Sequence, residues 1–285
     1  MKILFGSGNF IGSNIMCSRF IKNAIGHDIR VTAYYRNHRY LHCIDWCLDA
    51  LYSTNIGDAN YFKERHGIPG PYVNHEMSDL IINDLLEWGP NLVISDCEMF
   101  SAMVAKAMDI PLWYCSPMLQ LNGIEHEHNE IKAKTMKSVQ YMLNSLPEGD
   151  KYLVYSPLCD IAGRPFLKTG FEWVRPYSEP PNEITSENID TSIISKGIPE
   201  GSLVCTGETS LVSDCIYAEK PLFISPNPQE SEQVLNAQLL EWYRVAVNIG
   251  RPKSLSFTKR QAERLPLPNT KLSKQGFGFL DERLV

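Results

Sequence analysis

Leu203-Val204-Cys205-Thr206-Gly207-Glu208-Thr209-Ser210-Leu211-Val212-Ser213-Asp214 begins the stretch that decides the fold. It continues to Pro221-Leu222-Phe223-Ile224 and on to Glu232-Gln233-Val234-Leu235-Asn236-Ala237. The pattern predicts a strand over Leu203–Cys205, a turn at Thr206-Gly207 and a helix over 209–218. A second strand follows over Leu222–Ile224, opened by Pro221, and a long helix over 231–243. At the start of the first helix, near Thr209-Ser210, N–H groups without intrahelical partners and two hydroxyls converge on one spot, an arrangement suited to a diphosphate. Asp214 lies about a turn further along the same helix.

The rest of the chain repeats the strand–helix alternation. Lys2–Gly6 reads as a short buried strand, 15–24 as a helix closed by Gly26, and Asp28–Tyr35 as the next strand. Helices are expected over Asp79–Trp88, 99–108 and about 130–145. Strands are expected over Asn91–Ser95, Ile110–Cys115, Tyr152–Tyr155 and Phe171–Tyr177, with Ile189–Ile194 ambiguous. Alternating strands and helices call for mainly parallel sheets, with ligands at the carboxyl ends of the strands. Leu146-Pro147-Glu148-Gly149-Asp150 reads as a linker. The expected domains are therefore 1–147, 148–250 and a tail over 251–285 that packs back on the first domain.

The 285 residues allow one large domain or two ordinary ones, and 44% hydrophobic with 21% charged is globular composition. No stretch approaches the roughly 18 apolar residues of a membrane span. No secretory leader is read at the amino end, and eight cysteines are too sparse for a disulfide scaffold, so free thiols in the cytoplasm are expected. The net charge of −6 speaks against a general nucleic-acid coat. The tail is the exception: Arg251, Lys253, Lys259, Arg260, Arg264, Lys271, Lys274 and Arg283 face only Glu263, Asp281 and Glu282.

Gly6-Ser7-Gly8-Asn9-Phe10-Ile11-Gly12 suggests a phosphate-accommodating turn between strand and helix. Locally it resembles the nucleotide-sugar epimerases of the short-chain dehydrogenase class. Those carry a Tyr four residues before a Lys, and none of the thirteen tyrosines here has Lys at that offset. The second strand ends Ala33-Tyr34-Tyr35-Arg36, without the acidic residue that would bind the ribose of a dinucleotide.

The 203–238 stretch resembles the donor signature of GT-B glycosyltransferases that use UDP-sugars, such as the UDP-glucosyltransferases and the peptidoglycan enzyme MurG. The shared features are a glycine turn, an acid seven positions before Pro221, an acidic–Gln pair and Asn236-Ala237. Asn91–Ile110, with Ile94-Ser95-Asp96-Cys97-Glu98, is similar to a bacterial and archaeal group of the same class. The resemblance touches residues 1–30, 90–128 and 203–250. It implies a GT-B fold, two Rossmann-like domains with an interdomain cleft. Carried over, Gly207, Thr209 and Ser210 lie at the diphosphate, Asp214 holds the ribose, and Glu232 and Gln233 contact the sugar. Glu208 stands where a second glycine is frequent, and Asp214 where Glu is usual. Gly8, Gly12 and Ser13 join the donor-binding set.

An inverting transferase needs a base for the acceptor hydroxyl. Many members carry it as the His of a Gly-His pair after the first strand. Here that pair is Gly12-Ser13, and serine is no comparable base. Asp96, then Glu98, are the candidates, at the carboxyl end of a strand; the same residue types also cap helices. Tyr35, Arg36 and Arg39, in a basic-aromatic run, and His126 and His128 are candidates for the acceptor side, although such runs equally fit a helix cover and a solvated loop. His38, His42, Cys43 and Cys47 do not share one helix face, so no metal is expected.

The expected function is sugar transfer from a nucleoside diphosphate sugar, UDP first, to a hydroxyl, with no tightly bound cofactor. One acceptor this admits is a hydroxymethylated pyrimidine in DNA, since phage enzymes of the class glycosylate such bases. An NAD(P)-dependent epimerase or dehydrogenase and an inactive GT-B-like binding protein are the alternatives.

Overall fold

The computed structural model describes residues 1–8, 16–17, 19–20, 24, 26–32, 83–125, 137–161, 164–176, 202–218, 220–228 and 230–250. The predicted strand over Ile189–Ile194 and the tail over 251–285 lie outside them, as do Gly12, Ser13, Tyr35, Arg36, Arg39, His126, His128 and the His38–Cys47 group.

Two sheets are built. The larger has the order β2-β1-β3-β4-β5-β6, with β1 Lys2–Gly6, β2 Asp28–Thr32, β3 Leu92–Ser95, β4 Leu112–Ser116, β5 Lys151–Tyr155 and β6 Phe171–Val174. Pairing is parallel from β2 through β5, with Phe5 opposite both Val31 and Ile94. Strands covered on both faces become continuous apolar runs, and Leu92-Val93-Ile94 and Ile3-Leu4-Phe5 are buried throughout. Each such side chain contributes roughly 1.5–3 kcal/mol by leaving water. The Phe5 ring packs on Phe20 at 4.9 Å.

The chain moves from β1 to β2 on one side and then to β3 on the other. The carboxyl ends of β1 and β3 therefore flank a switch point, where crossovers diverge and leave a crevice. Helix α1, Met99–Met108, starts there. Asp109 ends it in the left-handed conformation (φ 53°, ψ 47°), its N–H returning to the carbonyls of Ala105 and Lys106. Gly6 must lack a side chain, since a Cβ would lie 2.6 Å from that of Ser101 on α1.

The smaller sheet, β7-β8-β9, is parallel throughout: β7 Leu203–Cys205, β8 Leu222–Ile224 and β9 Val247–Asn248. Helix α4, Thr209–Tyr217, connects β7 to β8, and α5, Ser231–Trp242, connects β8 to β9. Two further helices, α2 Gln120–Gly123 and α3 Lys137–Ser145, belong to the middle of the chain.

The sequence placed Tyr152–Tyr155 and Phe171–Tyr177 in the second domain. They join the first sheet instead. Cys115 and Ser116 of β4 pair with Leu153 and Val154, and the Leu112 N–H is held by Asp150 Oδ2 at 2.7 Å. The 146–150 stretch connects α3 to β5. The chain divides into two compact units, Met1–Gly123 with Ser138–Val154 and Lys168–Glu172, and the remainder. Strand β4 begins after Pro111, later than the expected Ile110, because the Ile110 N–H is still spent on α1, at Ala105 O. Strand β6 stops before Arg175-Pro176, where proline has no N–H to continue a ladder.

Six described cysteines are free, and all are buried: Cys17, Cys97 and Cys115 in the first unit, Cys159, Cys205 and Cys215 in the second. No described helix is long and apolar enough to cross a membrane.

Candidate active site

The turn from β7 into α4 and the turn after β8 meet at one cluster in the second unit. Gly207 has φ +105°, a conformation open to glycine. A Cβ there would lie 2.9 Å from the Gln233 carbonyl oxygen and 3.0 Å from Ile224 Cγ2. Glu208 occupies the cap position of α4, yet its side chain makes no cap hydrogen bond. It turns instead to accept from the Thr206 hydroxyl and from Gln233 Nε2, the latter at 2.7 Å. Gln233 Oε1 accepts from the Asn227 N–H at 2.8 Å, so this one amide ties the turn after β7 to the turn after β8.

The capping is done from α5. Glu232 Oε1 accepts the Thr209 N–H at 2.8 Å. A carboxylate at a helix start is favoured by the aligned peptide dipoles. Asn236, one turn further along α5, donates from Nδ2 to the Gly207 carbonyl and to Thr209 Oγ1, both at 2.8 Å. Glu208, Thr209, Ser210, Glu232, Gln233 and Asn236 are all buried. Burial raises the Glu208 carboxyl above its ordinary value, opposed by its hydrogen bonds from Thr206 and Gln233. Burial and then the Glu208 charge do the same to Glu230.

A second polar group sits at the switch point of the first unit. Both Glu98 oxygens receive α1 N–H groups, Phe100 at 2.6 Å and Ser101 at 2.7 Å, and the Ser95 hydroxyl bridges to the Glu98 main chain. Glu98 is a helix cap with both oxygens occupied. The Asp96 N–H donates to Gly6 O at 2.8 Å, which sets its carboxylate at the carboxyl ends of β1 and β3, buried to 3% exposure. Burial, then the Asp96 charge, push the Cys97 and Cys115 thiols well up. Among the described residues, no three His, Cys, Asp or Glu are grouped to hold a metal ion.

Among solved structures, the chain is similar to the spinosyn forosaminyltransferase SpnP, with 13% identity over 100% of this chain and 98% of that one and a TM-score of 0.54. It is also similar to the glycosyltransferase SnogD from Streptomyces nogalater, with 14% identity over 93% and 90% and a TM-score of 0.50. The fold is GT-B. No protein-family model matches the sequence, and no curated relative matches it.

Within the GT-B frame, the residues expected at the donor divide in three. Gly207, Glu208, Thr209, Ser210, Glu232 and Gln233 come together at the α4 start. Asp214 lies inside α4, buried, about 7.5 Å along the axis from Thr209 at 1.5 Å per residue. Gly8 belongs to the other unit, beyond β1. The sequence reading omitted Asn236 from its site residues. The signal was present: Asn236 stands four residues after Glu232 and three after Gln233, on the same face of a helix.

Proposed function

We propose that the protein transfers a sugar from a nucleoside diphosphate sugar, with uridine as the nucleoside, to an acceptor hydroxyl. One observation carries the reading: in a GT-B fold, Gly207 at φ +105° brings the β7–α4 turn against α5, so that the start of α4 and the Thr209 and Asn236 side chains converge. Such a helix start stabilises the charge of a departing diphosphate. In the reaction the acceptor oxygen bonds to the anomeric carbon as the bond from that carbon to the diphosphate oxygen breaks. The acceptor proton passes to a base, and the nucleoside diphosphate leaves with the bonding pair. Asp96 is the base in this reading, because both Glu98 oxygens are already spent on α1. Asp214 is assigned to the ribose hydroxyls, and Glu232 and Gln233 to the edge of the sugar pocket.

Calorimetric titration with UDP tests the donor half, with Asp214→Ala as the variant that should lose it. Asp96→Asn should retain UDP affinity and lose transfer by a factor of about 10² or more, the usual contribution of a general base. Hydroxymethylated DNA and small hydroxylated molecules are the two arms of the acceptor screen. Tight NAD(P) binding without UDP binding would overturn the transferase reading. UDP binding without transfer or donor hydrolysis would make the chain a binding protein.

A further inference from the structure

The hydrogen bonds around Asn236 fix more than packing. Its amide has two N–H donors, and both point at acceptors, the Gly207 carbonyl oxygen and Thr209 Oγ1. The carbonyl oxygen only accepts, which settles which way the amide faces, since the flipped amide would set oxygen against oxygen. With the amide so oriented, the Thr209 hydroxyl receives a hydrogen bond from Asn236. A hydroxyl carries a single hydrogen, and that hydrogen is then directed away from Asn236. Thr209 is the first residue of α4, is 1% exposed, and has its own N–H held by Glu232. Asn236 thus acts on both parts of the turn at once. It holds the carbonyl of the Gly207–Glu208 peptide, and it sets the polarity of the hydroxyl that opens the helix.

Building on the transferase reading above, we propose that Asn236 is a positioning residue for the donor: by donating to Thr209 Oγ1 it makes the Thr209 hydroxyl a one-way donor to the diphosphate. Thr209 supplies the contact, and Asn236 decides that the contact is a donated hydrogen. A diphosphate has acceptors only, so a hydroxyl free to rotate would spend part of its time presenting a lone pair to it.

The test is a double-mutant cycle in the full chain, read by calorimetric titration with UDP. Thr209→Val removes the hydroxyl at nearly constant shape, and about a tenfold loss of affinity is expected, the low end for a hydrogen bond to a charged group. Thr209→Ser keeps the hydroxyl and should stay within about threefold of wild type. In Asn236→Asp the side chain offers acceptors alone and recaptures the Thr209 hydrogen. Thr209→Val introduced into that background should therefore cost almost nothing further, because there is no donated hydrogen left to remove. A merely structural Asn236 would leave the cost of Thr209→Val at about tenfold in both backgrounds, which overturns the proposal. Equal affinity in wild type and Thr209→Val overturns it too, and does so without Asn236 being touched, so misfolding of an Asn236 variant cannot protect it. If wild-type protein does not bind UDP, the transferase reading falls and this inference falls with it. If wild type binds UDP and the cycle shows no coupling, only the inference falls.

Discussion

Gly207→Ala is the sharpest single perturbation of the α4 start. At φ +105° an L-residue is strained by about 1–2 kcal/mol, by analogy with the left-handed helix. The added Cβ would also lie 2.9 Å from the Gln233 carbonyl oxygen and 3.0 Å from Ile224 Cγ2. The nearer atom is backbone at the start of α5, so relief requires the turn or the helix to move. Overpacking of this kind costs about 1–3 kcal/mol. Together these give about 3 kcal/mol, or a fall in melting temperature of roughly 6–12 °C at 2–4 °C per kcal/mol. Gly170→Ala is the matched control: Gly170 has φ +89° but nothing within 4 Å of its Cβ position. It carries the dihedral strain without the close approach, and should lose about 1–2 kcal/mol. Calorimetric melting of both variants, followed by titration with UDP, separates the two contributions. Gly207→Ala should also weaken UDP by about tenfold, as the displaced peptide pulls away from Asn236. Equal melting temperatures for the two variants would refute the view that close packing of Gly207 on α5 shapes the site.

Three further outcomes are expected. The Glu208 carboxyl is raised by burial, so the folded chain binds its proton more tightly than the unfolded chain does. Its contribution to stability is complete in acid and is lost as pH rises through the raised value, so Glu208→Gln should flatten the fall of stability as pH rises beyond the ordinary carboxylate range in pH-resolved denaturation, leaving the share of Glu230. Glu98→Ala removes the acceptor of two α1 N–H groups and should cost about 1–2 kcal/mol in chemical denaturation, with UDP affinity unchanged. Gln233→Glu keeps the acceptor for the Asn227 N–H but sets a second carboxylate against Glu208. It should destabilise the second unit by about 2 kcal/mol at neutral pH and recover in acid, when the pair shares a proton; denaturation at two pH values checks it.

Local pattern made much of this fold legible. Lys2–Gly6, 99–108, Leu203–Cys205 and Leu222–Ile224 have the bounds the sequence predicts, because each is a short apolar or periodic run cut off by glycine, proline or a cap. The turn at Thr206-Gly207 was legible for the same reason: glycine, hydroxyl residues and a helix start lie together in the chain. Membership of a sheet was not legible. Tyr152–Tyr155 reads as a strand, but only its pairing with β4 says which sheet it extends, and that choice is tertiary. Val247–Asn248 was missed because two residues have no period. The role of Glu98 was carried by offsets of two and three residues to Phe100 and Ser101, the spacing of a cap, which a carboxylate in a catalytic stretch disguises. Asn236 looked like part of a motif, and its effect on Thr209 exists only once α5 lies against α4.

The thiols described with the fold divide evenly between the units, three in each, and none is open to solvent. It is the thiolate that attacks a thiol reagent, so a buried, protonated cysteine reacts only when its surroundings come apart. Cys97 and Cys115 are buried at the end of β3 and in β4, and Cys205, at the end of β7, is buried against its neighbour Cys215 on α4. The six described thiols consequently serve as two chemical clocks, three for each unit. A nucleotide held at the α4 start, as proposed above, should slow the second clock.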